Sequence, residues 1–321
     1  MTKRQQPASA RVLNDIPRGF WDAAIDVART IFVPGNRFGV HAFTIGPRIR
    51  NGRRRKAMAL NVYVKRKLYE PRWPVPNLTF AVGRTSWQIV PNVIATGKRP
   101  RAATGGAPHY TGLHPGAVMT VRGSTPGRGA ITCLLTTGGD PTHALTAGHV
   151  FPAGALGASI FAAASPTARV RAVGKVVANF LDDSAADGAL VELNKAGVAL
   201  VTSVGPALSD FLPERSVWGK LTRAFLATTN DFTREVATEG QPGEAHLWSP
   251  TRGVFTVHKV IQTDGEVTFE GDSGTVLCSG ATNAIAVGLC SGGTGAHSVF
   301  EPFSRIINLA QQRVPGNLAI F

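Results

Sequence analysis

With 321 residues and a formal net charge of +14, the chain is long enough for two domains. Its 43% of hydrophobic residues, 36 glycines and 21 prolines are typical of a soluble, β-rich fold with many turns. The sequence has no run of about eighteen apolar residues and no apolar signal core near Met1, which argues against a transmembrane helix and a secretory signal.

The first 110 residues differ in character from the rest of the chain. A helix N-cap at Asn14 and an early proline at Pro17 predict a helix. The Pro-Gly pair at residues 34–35 predicts its end. Strand-like segments at 39–45 and 59–64 then predict a β-hairpin whose tip is strongly basic. The helical face is formed by Phe20, Ala24, Val27 and Ile31. We therefore predict a small α+β lobe over residues 1–110.

Positive charge is concentrated in this N-terminal part. Residues 1–128 hold 22 Lys and Arg against 4 Asp and Glu, whereas the remainder holds 12 against 16. Such a field attracts nucleic acid, anionic lipid or an acidic protein without choosing among them, and a merely solvated hairpin is the alternative. No aromatic residues that could stack on bases interleave the tip. The basic patch comprises Arg53, Arg54, Arg55, Lys56, Lys65, Arg66 and Lys67.

Beyond residue 111 the pattern changes to short strands separated by glycine-rich turns, which is typical of barrels or sandwiches. We predict a first strand set at 117–121, 130–136, 144–146, 170–180 and 189–193. We predict a second set at 216–226, 254–262, 275–278, 285–290 and 298–300. A final amphipathic helix over 303–312 should pack Ile306, Ile307 and Leu309 on the barrel.

Two motifs in this region carry the chemistry. His149 lies in Leu-Thr-Ala-Gly-His-Val, and Ser273, 124 residues later, lies in Glu-Gly-Asp-Ser-Gly. A serine hydroxyl needs an adjacent base to become a nucleophile, and a histidine base needs a carboxylate behind it. Asp187 precedes an apolar strand, whereas Asp182 and Asp183 precede a polar stretch. Either motif alone could be a structural histidine or an ordinary turn.

In this order and spacing, the motifs resemble the chymotrypsin-like serine proteases. The resemblance implies a mainly β fold of two six-stranded barrels and a C-terminal helix over residues 111–321. It implies that His149 is the general acid/base, Asp187 its orienter and Ser273 the nucleophile. The N–H groups of Gly271 and Ser273 would form the oxyanion hole. Gly188 departs from the family, which usually has a branched aliphatic residue there.

The resemblance also implies a substrate pocket. Val267 and Thr268 would form its floor, with Gly292 and Gly295 as walls. Because no carboxylate lies at the floor, we expect cleavage after an apolar residue and not after Lys or Arg. His297 could instead reach the pocket and favour an acidic residue.

The N-terminal lobe resembles the leader of cytosolic bacterial and plant trypsin-like peptidases in residues 61–67 and in Val90-Pro91-Asn92. This implies a regulatory or docking lobe on a serine endopeptidase that cuts proteins or peptides. The alternative is a latent or inert protease-fold protein that binds nucleic acid or acts as a scaffold. No activation sequence occurs near residues 112–119, so we expect Asp272 to be stabilised by an internal donor or a docked partner.

Cysteine usage fits a reducing compartment. The chain has three cysteines, an odd number, and their spacing matches neither a disulfide framework nor a zinc site. We expect Cys133, Cys278 and Cys290 to be small buried residues. The sequence therefore predicts a cytoplasmic protein that uses no metal or other cofactor.

Overall fold

The structure, a computed structural model, describes most of the chain. The residues described are 17, 19–50, 53–66, 73–98, 101–102, 111–121, 127–203, 207–213, 219–227, 234–240, 243–263, 265–268, 271–280 and 284–321.

The N-terminal lobe has one helix packed on strands. Its elements are α1 (Phe20–Ile31), β1 (Val40–Arg50), β2 (Arg53–Val64), β3 (Leu78–Val82), β4 (Thr85–Ile89), β5 (Asn92–Ala95) and β6 (Arg101–Ala102). Phe20, Ala24, Ile25 and Ala28 bury the apolar face of α1 in the core of the lobe. β1 and β2 form the predicted hairpin, but Arg50 pairs directly with Arg53, so the basic stretch lies in the strands themselves.

Six strands close the first barrel. They are β7 (Val118–Val121), β8 (Arg128–Thr136), β9 (His143–Thr146), β10 (Ser159–Ala162), β11 (Arg171–Asn179) and β12 (Ala189–Leu193). They pair in the order β8-β7-β10-β11-β12-β9, and β9 pairs again with β8. Two short helices, α2 (Phe180–Asp183) and α3 (Lys195–Val198), follow β11 and β12. The sequence had not indicated β10, a four-residue strand among alanines.

The second barrel is built from later strands. The elements from here onward are β13 (Leu208–Phe211), β14 (Gly219–Ala227), β15 (Arg234–Gly240), β16 (Gly243–Ser249), β17 (Gly253–His258), β18 (Ile261–Thr263), β19 (Val276–Ser279), β20 (Ala284–Gly293), β21 (Ser298–Pro302), α4 (Phe303–Arg313) and β22 (Ala319–Ile320). Strand pairing follows β19-β14-β15-β18-β21-β20, with a further pairing of β19 and β20. β22 returns to the first barrel and pairs with β8.

One predicted strand, 254–262, is two strands. Lys259 has a positive φ of 54° and breaks it, leaving β17 on one side and β18 on the other. Only β18 belongs to the barrel, whereas β17 pairs with β16, and β16 pairs in turn with β1. The sheet of the N-terminal lobe is continuous with that of the second barrel through β6, which pairs with both β16 and β20.

The prediction of a mainly β, chymotrypsin-type fold with a C-terminal helix is confirmed by this strand order. In α4, Ile306 and Ile307 are buried, and Leu309 is partly buried against the same core, as predicted. None of the helices in the described ranges is long and apolar enough to cross a membrane.

Candidate active site

A single 3-10 turn after β9 presents His149. This turn, Gly148–Val150, has no space for a side chain at Gly148, where a Cβ would lie 2.7 Å from Asn179 Oδ1 and 2.9 Å from the Gly188 carbonyl oxygen. The Asn179 amide donates to the Gly148 carbonyl over 3.0 Å. The turn is therefore locked against the strand end that carries Asp187.

The structure brings the three predicted side chains together. Asp187 Oδ2 lies 2.7 Å from His149 Nδ1, and Oδ1 accepts the His149 backbone N–H over 2.9 Å. His149 Nε2 lies 2.7 Å from Ser273 Oγ. A carboxylate only accepts, so Nδ1 carries the proton of the neutral imidazole and leaves Nε2 free to accept from the serine hydroxyl. All three residues have no exposed surface.

A buried glutamate side chain that the sequence did not suggest supports Asp187. Glu301 Oε2 accepts the Asp187 N–H over 2.6 Å, and Oε1 pairs with Arg305. Arg305 also donates to the carbonyls of Ser184 and Ala185 in the preceding loop. Burial raises the pKa of Glu301 to about 8, although Arg305 and the Asp187 N–H act in the opposite direction. The only sequence signal was the spacing of four between Glu301 and Arg305.

Gly188, the departure from the family pattern, has a steric explanation. A Cβ at this position would lie 2.5 Å from Ile306 Cγ2 and 3.1 Å from Phe180 Cδ2. The C-terminal helix thus fills the space that a branched side chain would need. Glycine at 188 is consistent with Asp187 at the strand end, because it allows α4 to pack directly beneath it.

The hairpin of β16 and β17 covers one face of the His149 imidazole ring. The Phe255 ring stacks on the imidazole, with centroids 4.8 Å apart and planes 14° apart. The hydroxyls of Ser249 and Thr251 donate to the His149 carbonyl oxygen. These contacts join elements about 100 residues apart, so no local sequence pattern indicates them.

The loop of Ser273 is held between the two barrels. Ala130 of the first barrel donates its N–H to the Ser273 carbonyl over 2.6 Å, and Gly274 donates to the Cys290 carbonyl over 2.8 Å. Gly274 has a φ of +90°, and a Cβ there would lie 2.3 Å from the Ala130 oxygen. The turn therefore requires glycine for both conformation and space.

The two predicted oxyanion donors lie in the same loop. Gly271 has a φ of 102°, a conformation that residues with a Cβ rarely adopt. Among the described residues, no hydrogen bond uses the N–H of Gly271 or Ser273 as its donor, and their role as an oxyanion hole stays a prediction. Asp272 between them is 7% exposed, and its carbonyl accepts from Thr275.

Val267 and Thr268 lie in the segment after β18, whereas Gly292 lies at the end of β20 and Gly295 and His297 lie in the turn that leads to β21. Ser298 Oγ accepts the N–H groups of Val267 and Thr268 over 2.8 and 2.9 Å. His297 Nδ1 lies 2.8 Å from the Thr263 carbonyl, which holds its ring in place. A Cβ at Gly295 would meet Lys98 at 2.8 Å, so this wall contacts the N-terminal lobe, and Gly292 pairs with Ala102 of β6. Their role as a pocket stays a prediction.

Part of the basic patch can be placed. Arg55, Lys65 and Arg66 are exposed. The backbones of Arg53, Arg54 and Lys56 lie in β2, but their side chains, and Lys67 as a whole, lie outside the described part of the structure.

The three cysteines are buried free thiols. Burial raises the pKa of Cys278 to about 12 and also raises the pKa values of Cys133 and Cys290, so none is activated as a nucleophile. No group of three or more metal-binding side chains occurs among the described residues.

Comparison with known proteins gives structural relatives only. No protein-family model and no curated protein matches the chain. A glutamic acid specific serine protease that uses a histidine triad in substrate binding is 16% identical, with a TM-score of 0.44, over 65% of this chain and 100% of that one. A Nocardiopsis protease is 18% identical with a TM-score of 0.42, over 65% of this chain and 98% of its own.

A third such structure, Thermobifida fusca protease A, is 19% identical with a TM-score of 0.37, over 65% of this chain and 96% of its own. Because these similarities are low, what the site can do is inferred from its own geometry.

Proposed function

We propose that the protein is a serine endopeptidase that hydrolyses peptide bonds through an acyl-enzyme on Ser273. The observation that carries this proposal is the continuous hydrogen-bonded chain from Asp187 through His149 to Ser273, with both distances to the imidazole at 2.7 Å. A structural histidine needs only one satisfied ring nitrogen, whereas here both ring nitrogens bind the partners that nucleophilic catalysis requires.

In the first step, His149 Nε2 takes the hydroxyl proton of Ser273 as Oγ attacks the carbonyl carbon of the scissile bond. The buried Asp187 carboxylate stabilises the imidazolium that forms and keeps Nδ1 protonated. Negative charge develops on the carbonyl oxygen, and the N–H groups of Gly271 and Ser273 would donate to it. Each such donor is worth about 3 to 4 kcal/mol of barrier in comparable sites.

In the second step, the imidazolium returns its proton to the leaving amine as the C–N bond breaks. The acyl group stays on Ser273 Oγ until a water, deprotonated by the same His149 nitrogen, attacks the ester carbonyl. Departure of Ser273 Oγ with a proton from His149 regenerates the free site. Every proton passes through one ring nitrogen, so the imidazole must keep its orientation throughout. The stack of Phe255 and the Asp187 hydrogen bonds provide this restraint.

Substrate preference is part of the same proposal. Thr268 is buried and hydrogen-bonded to Ser298, and neither of the two predicted floor residues, Val267 and Thr268, carries a charge. This supports an apolar residue on the acyl side of the cut. His297, our second candidate, already interacts with the Thr263 carbonyl, which weakens the case for an acidic preference.

The test is turnover of a peptide library containing all residues on the acyl side of the cut, analysed by mass spectrometry. We expect cleavage by the wild-type protein, none by Ser273→Ala, and a preference for apolar residues. Cleavage that persists in Ser273→Ala would reject the assignment of the nucleophile. Because a closed site would suppress turnover, the library is also tested on Ala102→Pro, which removes the backbone N–H of residue 102 from β6.

For the N-terminal lobe we propose docking of an acidic partner or nucleic acid, with the protein acting in the cytoplasm. Arg48, Arg50 and Arg55 are exposed on the β1–β2 hairpin, which supports an electropositive face. A salt-sensitive mobility shift with RNA or DNA, lost on neutralising Arg48, Arg50 and Arg55, tests this. Unchanged mobility at low salt would leave an acidic protein as the partner.

A further inference from the structure

The N-terminal lobe contributes a strand to the edge of the candidate active site. β20 uses one edge to pair with β21, from Gly288 to Gly293. Its other edge pairs first with β19, as far as Leu289 opposite Val276, and then with β6, at Gly292 and Gly293. Val276, the first residue of β19, follows Ser273 by three residues, so the Ser273 loop lies where β19 begins. β6 pairs with the next part of the same β20 edge, beyond this loop.

From its N-terminus to its C-terminus, β6 runs toward the nucleophile Ser273. Ala102 lies opposite Gly292 and Arg101 opposite Gly293, so the segment runs from Gly293 toward Cys290. The Cys290 carbonyl accepts the N–H of Gly274, the neighbour of Ser273. A peptide that entered this edge would therefore be carried toward Ser273 by its own backbone pairing.

β6 is bound on both of its edges. It is antiparallel to β20 on one side and parallel to β16 on the other, where Arg101 lies opposite Trp248. The N-terminal lobe also lies close to the predicted pocket at Lys98. Its Nζ forms an ion pair with Glu266 Oε2 at 3.1 Å, and its Cβ would lie 2.8 Å from a Cβ at Gly295. The exposed ion pair adds little, so backbone pairing holds the strand.

The nucleophile is closed to solvent in the same structure. Ser273 and His149 both have no exposed surface, although a peptidase must admit a peptide to them. An extended peptide binds a sheet by adding a strand to an open edge. In this structure, the edge of β20 nearest to Ser273 is already paired.

From these observations, and resting on the proposed function, we infer that Arg101 and Ala102 form an internal strand that fills a slot between β16 and β20. The slot accepts an extended peptide backbone, and the protein is autoinhibited until β6 leaves. A tethered segment acts at an effective concentration on the order of mM, so a free peptide reaches the slot only in the small fraction of molecules that are open.

The test is peptide binding. It is measured in the catalytically inactive Ser273→Ala protein, so that the result does not depend on catalysis. The probe is a fluorescein-labelled peptide with the sequence of residues 98–106, and its affinity is measured by anisotropy. Adding Ala102→Pro to the protein removes a backbone N–H from the internal strand. We expect at least about a tenfold tighter Kd for the double variant, because the open fraction rises.

Two controls keep the result interpretable. The same peptide with proline in place of Ala102 should bind at least about tenfold more weakly to the opened protein, since it cannot complete the ladder. Ala102→Gly, a milder change that preserves the ladder, should give an intermediate gain in affinity and covers the case in which the proline variant does not fold. Equal Kd values for Ser273→Ala with and without these changes, in folded protein, would overturn the inference.

Failure of this inference differs from failure of the proposed function. Labelling of Ser273 by a small fluorophosphonate with no gain in peptide affinity would leave the peptidase and remove the autoinhibitory strand. A gain in affinity without labelling, in a variant with Ser273 intact, would leave the strand slot and remove the peptidase.

Discussion

Gly188→Ala is predicted to damage stability and catalysis together, through Ile306. The new Cβ would lie 2.5 Å from Ile306 Cγ2, a distance at which one of the two groups must move. Ile306 is fully buried, so relief requires a shift of α4 or of the strand end. Overpacking of this kind costs about 1–3 kcal/mol in unfolding free energy. Since residue 188 follows Asp187 directly, kcat should also fall.

A double-mutant cycle measures this. Ile306→Ala alone removes the clashing atoms and costs about 2–5 kcal/mol through the cavity it leaves. Combined with Gly188→Ala, the total loss should be smaller than the sum of the single losses by about 1 kcal/mol or more. Unfolding free energies from urea titration provide all four values. Additivity within about 0.5 kcal/mol would refute the steric reasoning.

Two further predictions concern the carboxylates. Asp187→Asn should leave the fold intact but lower kcat by about 10⁴-fold, because an amide can donate to Nδ1 and favour the wrong tautomer; a loss of less than tenfold in steady-state kinetics would contradict this. Glu301 has its pKa raised by burial from 4.5 to about 8, so the folded state retains a proton that the unfolded chain releases between these values. Its contribution is full below pH 4.5 and is lost as the pH rises toward 8. Glu301→Gln should flatten the fall in unfolding free energy between pH 5 and about 8, and an unchanged slope would show that another group titrates.

The candidate triad could be located from sequence because nucleophilic chemistry restricts which residue types can serve. Ser273 required a base and His149 required a carboxylate, and the apolar strand after Asp187 separated it from Asp182 and Asp183. Most of the barrel strands were visible as short apolar runs between turns, but β10 and β15 were not. The structure places all three side chains within hydrogen-bonding distance.

What the sequence could not reveal depends on distant pairing. Glu301 supports Asp187 from 114 residues away, and Phe255 reaches His149 from a hairpin that interrupts the second barrel. No glycine or proline at or beside Lys259 indicates the break in the strand there. The pairing of β6 with β20 joins segments about 190 residues apart, and no local pattern in two residues can specify it.

The most direct test of the central claim is the rate at which a small fluorophosphonate labels Ser273, with the adduct located by mass spectrometry. We predict an adduct on Ser273 in the wild type, faster labelling in Ala102→Pro, no labelling in Ser273→Ala and at least about 10³-fold slower labelling in His149→Ala. No adduct on Ser273 even in folded Ala102→Pro, or equal rates with and without His149, would show that the serine is not an activated nucleophile.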